Sequence, residues 1–279
     1  MFNNLFGNKK TAPRFVIAVN QVDKMIPNGW DHRLNMPTEM AEKEIKRRSQ
    51  DIIKRLSQYT DLASDNIEYY SALQRYRLMP LLTKIVRNGY AGFKLDHIEP
   101  ANPFDLAEPE VKAFAQQQMQ ERLKQQGNQQ ATNKDKIFEE MRQFLSEEEL
   151  NIVLSKFKQE RSRPPQVAIF GKAGVGKTTT INNLFNAQWK TSHTIVGTTK
   201  AQMKDFELNT GGKLKVVDLP GYGRSLAEDR EYEEIYRQLI PSCDLVLLIV
   251  QANTRDFTDD QEMIIHIMEW LKEAPVPQR

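Results

Sequence analysis

Residues 166–178 read "QVAIFGKAGVGKT". An apolar run is followed by Gly171, Gly174 and Gly176 spread through a turn, then by Lys177 and Thr178 at the head of the helical pattern "KTTTINNLFN" (177–186). The pattern G-x-x-x-x-G-K-[ST], lying between a strand and a helix, is a phosphate-binding loop in its required context. Glycines let successive backbone N–H groups turn inward where side chains would block a phosphate. The following helix presents its N-terminus to the negative charge. Lys177 is placed to bridge terminal phosphates, and the Thr178 hydroxyl to hold Mg²⁺. The candidate phosphate contacts are Gly171, Ala173, Gly174, Val175, Gly176, Lys177, Thr178 and Thr179. The loop is silent on which base it serves.

Working outward, "VVDLPGYG" (216–223) ends an apolar run in Asp218 and places Gly221 three residues on. Asp218 is expected to reach the Mg²⁺ shell through water. The Gly221 N–H is expected to touch a γ-phosphate, which makes "GYGRS" a candidate switch loop. Between the two motifs, "HTIVGTTK" (193–200) offers a hydroxyl for a second Mg²⁺ position, Thr199 or its neighbour Thr198. The expected metal set is thus Thr178, Thr199 and Asp218. The groups expected closest to the reacting phosphate are Lys177, Thr199 and Gly221.

Six segments read as strands: 14–19, 66–72, 166–170, 204–208, 214–218 and 244–250. Several are continuous apolar runs, as in a sheet covered on both faces. Helical patterns at 38–59, 76–88, 177–186, 227–240 and 258–273 separate most of them. The expected fold is α/β, a P-loop domain with a mostly parallel six-stranded sheet and helices on both faces. A section of different composition interrupts it. In "PEVKAFAQQQMQERLKQQ" (109–126), Val111, Phe114, Ala115, Met119 and Leu123 form one stripe, read as helix packing. "GNQQATN" (127–133) reads as a linker. Ser146 and Glu149 form a capping box before a further helix. The expected division is 14–95, a helical insert at 96–163, and 164–279. The insert joins a helix end to a strand start, which places it at the sheet edge away from the phosphate loop.

"NQVDK" (20–24) stands directly behind the apolar run "FVIAV". A carboxylate in the plane of guanine can accept from both N1–H and the N2 amino group, a donor pair that adenine lacks. Asp23 is the candidate for that role, with Asn20 and Gln21 beside it. The loop "SAL" (Ser71, Ala72, Leu73) follows the strand "IEYY", and its backbone N–H at Ala72 is expected to meet guanine O6. An ATPase or small-molecule kinase would leave "NQVDK" and "SAL" unexplained.

With these pieces together, the chain resembles the Era-like GTPases of the TRAFAC class, especially those described as 50S-ribosome-binding. The resemblance rests on "GKAGVGKTTTINNLF", "GTTK", "DLPGYG", "NQVDK" and "SAL", and covers residues 14–90 and 165–279. In that family the phosphate loop comes first and the base-reading loops last. Here the order is reversed, which resembles the circularly permuted GTPases. The resemblance implies GTP and GDP as ligands, Mg²⁺ as cofactor, hydrolysis of GTP and a switch role. It also brings a ribosomal or protein partner, or a homodimer, into consideration. Two positions depart from the pattern. Gln21 stands where lysine is usual, and Tyr222 stands where many GTPases carry the glutamine that orients water. Some relatives instead hold a potassium ion with an asparagine of the phosphate loop, where this chain has Gly174. Intrinsic turnover is therefore expected to be slow. The competing reading is a nucleotide-binding module with negligible turnover, whose helical section binds a partner.

Composition narrows the setting. With 39 basic and 37 acidic residues the net charge is +2, so bulk charge argues for neither a nucleic-acid nor a membrane partner. The lone Cys243 cannot form an internal disulfide, which suits a reducing compartment. The four histidines lack metal-ligand spacing. The longest apolar run, "LVLLIV" (245–250), is far short of a membrane span, and "MFNNLFGNKK" has no secretory pattern. A cytoplasmic location is expected.

Overall fold

The computed structural model describes residues 14–58, 63–89, 100–125, 139–151, 164–186, 202–207, 213–222 and 226–273. The expected sites at Thr198, Thr199 and residues 223–225, and the linker 127–133, lie outside the described residues.

The strands are β1 (Phe15–Asn20), β2 (Trp30–Asp31), β3 (Met36–Pro37), β4 (Ile67–Tyr69), β5 (Gln166–Phe170), β6 (Gln202–Glu207), β7 (Lys213–Asp218) and β8 (Leu245–Gln251). The helices are α1 (Glu39–Gln58), α2 (Leu78–Asn88), α3 (Pro109–Gln125), α4 (Lys177–Leu184), α5 (Leu226–Leu239) and α6 (Thr258–Glu273). Six strands form one sheet in the order β4-β1-β8-β5-β7-β6. All neighbours are parallel except β6, which runs antiparallel to β7 at one edge. The front and back parts of the chain therefore share one sheet. They meet where β1 pairs with β8 over its full length, from Phe15–Val246 to Asn20–Gln251.

Side chains alternate across a strand, so a strand covered on both faces is apolar throughout. In β8, Val246, Leu248 and Val250 face one core, and Leu245, Leu247 and Ile249 face the other. The first core takes Ile45, Ile52 and Leu56 of α1, Tyr232 and Tyr236 of α5, and Ile264, Ile267 and Trp270 of α6. The second takes Leu81, Leu82 and Ile85 of α2 with Ile181 and Leu184 of α4. Three layers result, α1, α5 and α6 on one face and α2 and α4 on the other.

Parallel pairing brings the carboxyl ends of β1, β4, β5, β7 and β8 to one edge. Every described motif lies there, as is usual for ligand sites of open α/β sheets. The strand β4 is shorter than the expected 66–72. The Tyr70 N–H still donates to Val19 O of β1 (2.9 Å), and the chain then turns, with Ser71 and Tyr76 exchanging backbone hydrogen bonds of 3.1 and 3.0 Å. The two-stranded hairpin β2–β3 has no signature in the sequence.

The helical section departs from expectation in two ways. The stripe on α3 is not core: Phe114 is 64% exposed, and no described side chain of the helix is buried. Nor does the section keep to the far edge. Arg75 Nη1 donates to Asn102 O (3.1 Å) and meets Asp105 Oδ2 (3.3 Å). The Ala101 N–H donates to Asn183 O (2.7 Å), and Glu108 N–H to Arg33 O (2.9 Å). Residues 100–108 thus pack beside the turn that carries "SAL". The later part does reach the far edge, where Arg87 pairs with Glu149 at 2.7 Å and Met141 is buried in the second core. The capping box forms as read: Glu149 N–H donates to Ser146 Oγ (3.3 Å), and Ser146 N–H to Glu149 Oε2 (2.9 Å).

Because β8 lies between strands from the two parts, Leu248→Ala should lower stability by about 2–5 kcal/mol. Urea unfolding should show a lower midpoint with an unchanged slope.

Candidate nucleotide site

Close approach dictates glycine in the phosphate loop. At Gly171 φ is +150°, and an added Cβ would stand 2.2 Å from the Ile249 carbonyl oxygen of the central strand. At Gly176 φ is +93°, and a Cβ would stand 2.4 Å from Asn20 Nδ2. The loop can therefore lie flat against β8 and against the end of β1. Lys177 opens α4 and folds back over the loop, donating to Gly171 O (2.8 Å) and Lys172 O (3.1 Å). Thr178 and Thr179 are half-buried in the first turn, Val175 is buried, and Ala173 and Gly174 face solvent. Thr180, fully buried, meets the Tyr70 hydroxyl at 2.6 Å and ties α4 to the end of β4.

Asn20 sits at the centre of the side expected from the sequence to meet a base. Its Nδ2 donates to Val175 O (2.7 Å), and its Oδ1 accepts from Ala72 N–H (2.8 Å). One buried amide thus joins the end of β1, the phosphate loop and the 71–73 loop. The Ala72 N–H, expected to face guanine O6, is held by Asn20 here. Asn183 Nδ2 fixes the same loop from α4 by donating to Ala72 O (2.9 Å). Ser71 is buried and its Oγ accepts from Gln74 N–H (3.1 Å), while Leu73 is 60% exposed on the rim.

Gln21 takes a left-handed φ of 69° and turns the chain into a short 3₁₀ turn at Val22–Lys24. Its Nε2 donates to Gly174 O (2.8 Å), so a neutral amide links this turn to the phosphate loop. On that turn, Asp23 Oδ1 is shielded from solvent and has no hydrogen-bond partner among the described residues. A buried acceptor without a donor is costly, and a ligand N–H would satisfy it.

Asp218 ends β7 beside Ile169 of β5 and is half-buried. A carboxylate here and a threonine hydroxyl at the head of α4 are hard oxygen donors of the kind Mg²⁺ prefers. Gly221 abuts the phosphate loop, with an added Cβ 3.1 Å from Gly171 O. The Tyr222 side chain is buried. Its ring is 3% exposed and packs edge-on to Phe170 at 6.1 Å, and its hydroxyl donates to Asp260 Oδ1 (2.6 Å). Burial, with the Asp260 carboxylate beside it, pushes the Tyr222 phenol well above its ordinary range. Burial also pushes the Asp260 carboxyl up, against the pull of the Tyr222 hydroxyl and Lys172. Reading the sequence missed Lys172, Asp259 and Asp260. Lys172 is an unspecified position of the motif, and "TDD" at the head of α6 reads only as acidic residues suited to a helix start.

Residues 166–277 match the model of the 50S ribosome-binding GTPase family, about two fifths of the chain. Over 110 residues the chain is 34% identical to the uncharacterized protein YkfA of Escherichia coli K12, covering 39% of this chain and 38% of that protein. It is 32% identical over 118 residues to the probable GTP-binding protein EngB of Kosmotoga olearia, covering 40% of this chain and 58% of that one. It is also 32% identical over 112 residues to the GTPase Der of Azobacteroides pseudotrichonymphae, covering 37% and 26%. The matched stretch thus spans less than two thirds of each relative's length. Among the described residues no helix is long and apolar enough to cross a membrane. The fold is α/β, a mostly parallel sheet with helices on both faces and a phosphate-loop motif at its carboxyl edge, and the matched stretch is similar to proteins described as GTP-binding proteins and GTPases.

Proposed function

We propose that the chain binds GTP and GDP and hydrolyses GTP slowly, acting as a molecular switch. The observation that carries this is Asp23 Oδ1, a buried acceptor without a donor among the described residues. It stands on a turn that Asn20 and Gln21 fasten to the phosphate loop. Guanine offers two N–H donors to such a carboxylate. Adenine offers none in that position.

In this reading the phosphates lie in the cradle of residues 171–179, with Lys177 exchanging the Gly171 and Lys172 carbonyls for phosphate oxygens. Thr178 and Asp218, with Thr199 from outside the described residues, would hold Mg²⁺. When bound, that ion neutralises charge shared between the β- and γ-phosphates. Leu73 N–H, next to the occupied Ala72 N–H, becomes an alternative donor for O6. The motif order is read as a circular permutation of a G domain. Its support is the β1–β8 pairing, which sets the base-reading loops of the front part beside the phosphate loop of the back part.

Slow turnover follows from Tyr222, which is buried and gives its hydroxyl to Asp260 in place of an attacking water. The same observation favours a second reading, a nucleotide-binding module with negligible turnover. The exposed Phe114 on α3 would then belong to a partner surface. The family description makes the ribosome one partner to test, a second copy of this chain another, and a cytoplasmic setting fits both.

Calorimetric titration with Mg²⁺–GDP and Mg²⁺–ADP should give GDP affinity at least about a hundredfold higher, since adenine leaves the Asp23 carboxylate without the two N–H donors that guanine supplies, a loss of several kcal/mol. Asp23→Ala should erase most of that preference. Equal binding of the two nucleotides by the unmodified protein would refute the guanine assignment. Single-turnover assays should detect GTP cleavage that Lys177→Ala lowers by at least about a hundredfold, the scale of removing one charge-stabilising donor. Cleavage indistinguishable from the Lys177→Ala background would favour the binding module.

A further inference from the structure

Gly221 is pressed onto the phosphate loop, and an added Cβ would also stand 3.4 Å from Ala173 N. Two phenols fix the backbone on either side of it. Tyr236 donates to Pro220 O (2.7 Å), and Tyr222 donates to Asp260 Oδ1 (2.6 Å). Residues 219–222 are all buried. The chain at Gly221 is thus set by side-chain hydrogen bonds from two helices, α5 and α6.

Asp260 makes a second connection. Its Oδ2 lies 3.3 Å from Lys172 Nζ, which also meets Asp259 Oδ2 at 2.9 Å. Lys172 is the second residue of the phosphate loop, so one carboxylate ties that loop to the residue after Gly221. Asp260 is 3% exposed. A carboxylate so buried needs partners, and this one has a hydroxyl and an ammonium. At the helix start it is Asp256 that accepts from Thr258 N–H (2.9 Å) and Oγ1 (2.7 Å).

We propose that Asp260 is a positioning residue for triphosphate recognition: by holding Tyr222 and Lys172 together, it keeps the Gly221 N–H preset against the phosphate loop. The inference rests on the guanine-nucleotide reading of the site, in which the Gly221 N–H meets a γ-phosphate, and adds which side chains hold that N–H in place. A preset donor need not be ordered when the ligand arrives, so its contact contributes fully to binding. A diphosphate has no group at that place and does not use it. Tyr222, at a position where a water-orienting side chain would be solvent-facing, acts instead as the arm that carries Asp260's hold to Gly221.

The test is the ratio of affinities for GTPγS and GDP in the full chain and in Tyr222→Phe, Asp260→Ala and Asp260→Asn, with thermal melting recorded for each. Tyr222→Phe and Asp260→Ala should weaken GTPγS about fivefold to tenfold, the effect of one hydrogen bond, and leave GDP within about twofold. Asp260→Asn keeps an acceptor for Tyr222 and should recover part of the loss. Tyr222→Phe removes a single oxygen from a packed ring, so it carries the test if Asp260→Ala fails to fold. Equal weakening of both nucleotides, or an unchanged ratio, overturns the inference while the site reading stands. A wild-type protein that binds neither nucleotide overturns both.

Discussion

The candidate site hangs on one buried side chain. Asn20 ends the strand β1 and is 2% exposed, with its amide divided between Val175 O and Ala72 N–H. Those partners belong to the phosphate loop and to the "SAL" turn, which no backbone hydrogen bond described here connects directly. A buried amide satisfied at both ends contributes modestly in net terms. Removing it would strand a carbonyl and an N–H, at about 1–3 kcal/mol each. Gly176 shows how tightly the arrangement is drawn, since even a methyl group there would collide with the same amide. The site's two halves, far apart in the chain, are in register because of this contact and of the β1–β8 ladder beneath it.

Around that staple, the two departures from the GTPase pattern have different consequences. Gln21 keeps a mechanical link by donating to Gly174 O, so replacing a charged side chain with an amide does not separate the turn from the phosphate loop. Tyr222 turns inward, because a phenol is amphipathic. The ring gains from burial beside Phe170 and Tyr236, and the hydroxyl finds a carboxylate. Sequence position alone suggested only that a phenol cannot replace glutamine.

The helical section shows the limit of periodicity. Its stripe of Val111, Phe114, Ala115 and Met119 has helical spacing, and α3 forms, yet the described part of that stripe is not buried. A stripe states that a helix has an apolar side and says nothing about what covers it. The capping box at Ser146 was legible because it is closed by residues three apart. The contact of residues 100–108 with the "SAL" turn was not, because it depends on Arg75, Asn183 and Arg33 converging from three other elements.

The sequence by itself determined the local items. These are strands built from apolar runs, the glycines that admit close approach, the helix that opens at Lys177, and Asp218 at a strand end. Each is encoded within a few residues, in backbone freedom and in the period of burial. Tertiary structure alone decided the rest: β4 ends early in a turn, Ala72 N–H serves Asn20, and Asp23 Oδ1 is left buried without a donor. It also decided that Lys172, Asp260 and Tyr222 meet. Asn20 and Val175 are 155 residues apart and Tyr222 and Asp260 are 38 apart, so sheet register and helix packing, not local preference, choose such partners.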